Sequence, residues 1–240
     1  MNWTVIAETF RRHVTSGAYL AFCALLAIVA LGSSAFDKPA AAWPSLVALL
    51  ALIAGCGPIG PEFSSGTLQL ILVKPVNRAV YLLSRVAGVV LAVWAAATAA
   101  ALFELAGRAI WGNGVPAAII GSALLNVAAD TILAVSLLTL LGSLTRAYFN
   151  VAIYIVATTG LAILEVVLGM IRQSANTVGR FLSDHPIVER ALAVVEQNLF
   201  PDLAPSLDAR WTLMVLANAA VALVLACLAF RKREVPYGAD

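Results

Sequence analysis

The chain has 240 residues, 62% of them hydrophobic and only 12% charged, with a mean hydropathy of +0.94. Soluble domains carry about 25% charge and about 45–50% apolar residues, and a water-soluble globule of this length cannot hide so much apolar surface, so the natural solvent of the chain is lipid. The net charge of +2 and scattered arginines without interleaved aromatics argue against a nucleic-acid-binding face. Cys23, Cys56 and Cys227 all sit inside apolar runs with neither a CxxC pair nor a zinc-site spacing, which reads as small buried residues.

A transmembrane helix needs about 20 mostly apolar residues, so the length predicts an all-α integral membrane protein of about six spans. Within residues 1–16, Trp3, Ile6, Ala7, Phe10 and Val14 recur at helical spacing, with Glu8, Arg11 and Arg12 elsewhere around the helix. That pattern predicts an amphipathic helix in the membrane interface, a disordered tail being the alternative. Residues 17–240 are expected to form a single domain of six spans. Its first span is expected over 17–36, closed by Asp37, Lys38 and Pro39. The run also has the basic flank of a signal peptide, but its length and the spans that follow favour an uncleaved helix. Trp43 and Pro44 open a second span that reaches about residue 59, where Gly55, Gly57, Pro58, Gly60 and Pro61 break the helix. Such breaks belong at the membrane edge or against protein.

Further spans are expected over 86–106, 115–141, 148–171 and 211–230. Short turns at 107–114 and 142–147 separate the middle ones. The long polar stretch 172–210, punctuated by Pro186, Pro201 and Pro205, predicts short external helices before the last span. With both termini cytoplasmic, the inner segments hold Arg11, Arg12, Lys74, Arg78, Arg85, Arg146, Arg231, Lys232 and Arg233, against Lys38 and Arg108 in the short outer ones. The positive-inside rule therefore places the termini in the cytoplasm and residues 172–210 outside.

The segment 61–85 is too long for a turn and too apolar for a solvated loop. Phe63, Leu68, Leu70, Ile71 and Leu72 need an interface, a bundle or another protein to pack against. Lys74-Pro75 stops it, because proline disfavours helix at the preceding residue, and Arg78 and Arg85 are expected at the phospholipid headgroups. The run Glu62, Phe63, then Gly66-Thr67-Leu68, Leu70, Lys74-Pro75-Val76, Arg78 and Tyr81 resembles the loop after the second span of ABC-two type permeases. That family's usual form has serine where Asn77 stands. The resemblance extends to the layout: an interfacial N-terminal helix, six spans, and an external segment before the last one.

It implies the membrane subunit of an ABC transporter, an exporter of the plasma or cell inner membrane. In such permeases this loop is a coupling helix docked on the ATPase. By position, Glu62, Phe63, Gly66, Thr67 and Leu68 would lie at that contact, and Lys74, Pro75 and Arg78 would fix the return into the third span. The implied partners are an ABC ATPase subunit and a second permease, as homodimer or heterodimer. The chain itself has no GxxxxGK[ST] phosphate loop, so it is not expected to be an enzyme or to hold a cofactor; ATP would sit on the partner.

Three acidic residues fall inside expected spans, Glu104, Asp130 and Glu165, and Asn126 lies one turn from Asp130. An ionisable group in hydrocarbon costs at least about 2.5–3.5 kcal/mol, so such residues face protein or water. They predict a polar translocation path, with interhelical hydrogen bonding as the alternative and, for Glu104, placement at the interface. No basic residue is expected at their depth. An ion-coupled secondary transporter using Asp130 and Glu165 is the competing reading. His13 and His185 lie outside the spans, which disfavours a transmembrane haem.

Overall fold

The computed structural model describes residues 1–35, 40, 42–56, 77–114, 116–145, 149–173, 190, 191, 194 and 209–232. The described residues are helical with no strand. Among the described residues seven helices carry the fold: α1 (Trp3–Val14), α2 (Gly17–Ser33), α3 (Trp43–Gly55), α4 (Arg78–Ile110), α5 (Ala117–Leu144), α6 (Phe149–Gln173) and α7 (Ala209–Lys232). Among the described residues three helices are long and apolar enough to cross a membrane: α4, α5 and the 212–231 stretch of α7. A fourth is gained if α1 and α2, bent by 66° to each other, count as one. The protein is thus a helical membrane protein.

The helix starts follow local chemistry. The Asn2 side chain accepts from the Thr4 N–H at 3.1 Å and opens α1. Ser16 makes the bend into α2, its hydroxyl donating to the His13 carbonyl at 2.8 Å and accepting from the Tyr19 N–H at 3.3 Å. Asn77 caps α4 by accepting from the Ala79 N–H at 3.0 Å. Asparagine caps a helix as well as serine does. The helix ends at a left-handed Gly112, with the Asn113 N–H donating back to the Arg108 carbonyl at 3.0 Å, a closure that only glycine makes without strain.

Centrally, α4 packs against α1, α2, α3, α5 and α7, and α5 packs against α3, α4, α6 and α7. The α4 face is built from Val89, Ala92, Val93, Ala96, Ala97 and Ala100, all buried; small residues let membrane helices approach closely. Hydroxyls satisfy themselves within the helix: Thr131, Ser136 and Thr139 of α5 each donate to the carbonyl four residues back, at 2.5–2.7 Å. The outside is apolar too, with Leu20, Ile28, Ile53, Leu102, Leu125, Val156 and Val221 exposed. An apolar exterior, with buried hydroxyls bonded inside their own helices, is the arrangement lipid imposes.

Three expectations need correction. The helix α4 begins at Arg78, so residues 78–85 are its first turns and not part of a separate segment, and it runs through Arg108 to Ile110. At about 1.5 Å per residue its 33 residues reach about 50 Å. Arg85 does not sit at the headgroups: it is buried, with Nη1 donating to Thr9 Oγ1 at 3.1 Å. Nor does α1 simply float on its apolar face. It is docked on α4 through Ile6 and Thr9 while Trp3 and Ala7 stay exposed, and the Asn2 N–H donates to Ser84 Oγ at 2.8 Å. Gly88 makes the docking possible, because a Cβ there would lie 2.6 Å from Thr9 Cβ and 2.9 Å from the Ile6 carbonyl oxygen.

Candidate functional site

The residues expected on the path separate into two places. Asp130 and Asn126 lie one turn apart in the middle of α5, and both Asp130 carboxylate oxygens and the Asn126 amide oxygen are shut off from solvent. Asp130 opens on a cavity of about 100 Å³ between α3, α5 and α6. Its walls are Ala48, Ala51, Leu52, Val127, Thr131, Leu133, Ala134 and Tyr154. The helix α3 approaches α5 closely beside it because Gly55 has no side chain; a Cβ there would stand 2.7 Å from Leu138 Cδ1. Tyr154, supplied by α6, lies within electrostatic reach of Asp130. Glu165 is on the same helix eleven residues further on, about 16 Å along its axis.

Glu104 belongs to a different structure. It is wholly buried near the far end of α4. Its carboxylate accepts from Trp43 Nε1 at 2.6 Å, from the Ala40 N–H at 3.0 and 3.2 Å, and from Arg108 Nε at 3.0 Å. The expectation that no basic residue lies at its depth is therefore wrong: drawing the turn at Gly107 put Arg108 in a loop, whereas the helix carries it one turn past Glu104, where an i,i+4 pair forms. The Glu104 cluster ties the start of α3 to α4 and holds Ala40 at a φ of 54°, a strained value for a residue with a Cβ. Next to it, Asn113 Nδ2 donates to the Ser34 carbonyl at 2.9 Å, and Gly107 admits Ser34, whose Cβ a methyl group there would meet at 2.9 Å. Composition could not have revealed this cluster, since Trp43 reaches Glu104 across a separation of 61 residues.

Of the residues expected at the ATPase contact, Glu62, Phe63, Gly66, Thr67, Leu68, Lys74 and Pro75 lie outside the described residues. Arg78 is the first residue of α4. With Asn77, Ala79 and Arg231 it lines a groove of about 450 Å³ between the start of α4 and the end of α7. Tyr154 was not singled out by the sequence pattern, and the roles of Arg85 and Trp43 as hydrogen-bond donors inside the bundle were not foreseen. The glutamate–arginine spacing on α4 was the one readable sign. Among the described residues no group of three or more His, Cys, Asp or Glu side chains comes together to hold a metal.

No protein-family model matches this chain, and no curated protein matches it in sequence.

Proposed function

We propose that the chain is the membrane-spanning permease subunit of an ATP-driven ABC transporter. In this reading it has six spans, with α1 in the interface, both termini in the cytoplasm and the chain in the cell inner membrane. The observation that carries it is the run from Glu62 to Tyr81, whose Glu62, Gly66-Thr67-Leu68 and Lys74-Pro75-Val76 resemble the coupling loop of ABC-two type permeases. The shape of α4 supports it. The helix starts at Arg78, directly after that loop, and continues unbroken to Ile110.

A displacement at Arg78 would therefore reach α1 through Arg85 and Gly88, and α2 and α3 through Gly107 and Glu104. Such a rigid element, repacking between two discrete positions, is what alternating access requires. ATP would be bound and hydrolysed by a partner ATPase, and two permease copies, or one with a relative, would complete the exporter. The Asp130 cavity would then lie on the path.

Affinity purification of the tagged protein from its own cells tests this. An ABC ATPase should co-purify in stoichiometric amount, and Glu62→Ala or Gly66→Trp should reduce its yield at least about tenfold. Recovery without any ATPase, together with substrate uptake in proteoliposomes lacking ATP, would instead establish the secondary-transporter reading, which Asp130 favours.

A further inference from the structure

We propose that the cavity beside Asp130 seats the ammonium head of an amphiphilic amine, with Asp130 as its counter-ion. The inference rests on the permease reading for the statement that such an amine is cargo, but the binding site stands on its own geometry. The cavity of about 100 Å³ far exceeds the roughly 10–15 Å³ that one water needs, so it takes a small head group. Apart from the Tyr154 hydroxyl, its polar equipment accepts and does not donate. An ionised carboxylate is acceptor-only. The Thr131 proton is committed to the Val127 carbonyl at 2.7 Å, leaving that oxygen its lone pairs. Tyr154 adds a phenol oxygen and the face of a ring, which attracts cations.

An ammonium is the complement, all donors and no acceptor, whereas an anion would meet a negative charge. The remaining wall, including Ala48, Leu52 and Leu133, is hydrocarbon and suits the carbons attached to the nitrogen. A calcium or magnesium ion takes about six or more oxygen ligands, which a single carboxylate, a threonine and a tyrosine do not provide. A bare alkali ion would exchange its water for the same few oxygens and a wall of methyl groups.

The test is binding to the purified full-length protein in lipid nanodiscs, read by calorimetry at constant ionic strength. The probe is octylammonium, with octanol as its uncharged counterpart and sodium chloride as the inorganic cation. A saturable component above linear partitioning is expected for octylammonium and not for octanol. Asp130→Asn should weaken it by about 30-fold or more, the loss typical of removing one partner from a buried charge pair. Ala48→Leu, which fills the cavity and keeps the carboxylate, should abolish it. Unchanged octylammonium binding in either variant, an equal saturable curve with octanol, or a sodium response that blocks the amine would each overturn the proposal. No ATPase enters this measurement, so its failure is distinct from failure of the permease reading, which co-purification decides.

Discussion

Glu104 concentrates the cost and the benefit of a charge in lipid. Its carboxylate is surrounded by an indole N–H, a backbone N–H and a guanidinium. Removing it takes from Arg108, itself buried, the carboxylate that offsets its charge, and breaking a buried ion pair costs about 3–5 kcal/mol. Glu104→Ala should therefore lower the melting temperature of the detergent-solubilised protein sharply. Trp43→Phe, which takes away one donor, should cost about 1–3 kcal/mol. The double variant Glu104→Ala, Arg108→Ala should be less destabilised than Glu104→Ala alone, because no charge is left behind; thermal unfolding of the three proteins checks the order. The need for a partner was legible at Glu104, since a carboxylate inside an apolar run demands one. Which partner was not, because the helix end at Gly112 depends on a backbone conformation, and the contact with Trp43 joins parts of the chain far apart in sequence.

At the level of helices, glycines set how closely neighbours approach. A methyl group at Gly88 would meet Thr9 and the backbone of α1, whereas one at Gly55 would press mainly on the end of the Leu138 side chain, which can turn aside. Gly88→Ala should cost about 1–3 kcal/mol and release α1, seen as faster proteolysis near Arg11 and Arg12. Gly55→Ala should be the milder change, with α1 still protected; limited proteolysis of both variants separates the two outcomes. Apolar runs foretold the limits of the described helices to within a few residues, except for α4, which starts at Arg78 and not at residue 86, because lipid demands long uninterrupted hydrophobic stretches. Thr9, Ser84 and Gly88 carried no such mark. Their importance comes from a close approach between surfaces, which a one-dimensional pattern does not contain.

For the molecule as a whole, the long apolar helices and their exposed hydrophobic faces fit a membrane protein, and the proposed orientation follows from where its arginines and lysines fall. With Cys23, Cys56 and Cys227 replaced, a cysteine at Thr15 should react with a membrane-impermeant maleimide only from the cytoplasmic side. One at Gly114, beyond the far end of α4, should react only from outside. Labelling of intact and opened cells distinguishes this from the inverted arrangement. The peripheral α6 touches the rest mainly through α5 and presents Ile153, Val156, Ile163 and Met170 outward, as lipid exposure requires. Asp130 was marked by its type within a span. The cavity around it was not, since Tyr154 and Ala48 become neighbours only when three helices meet.

The clamp between Thr9 and Arg85 joins residues 76 positions apart. A ribosome adds about 5–20 residues per second, so the amino-terminal helix emerges several seconds before the surface it must settle on exists. During that interval it has only the bilayer surface to rest against, and Trp3 suits it to wait there. Biogenesis therefore leaves this corner of the molecule open until the start of α4 is made: α1 waits for a partner that the ribosome has yet to supply.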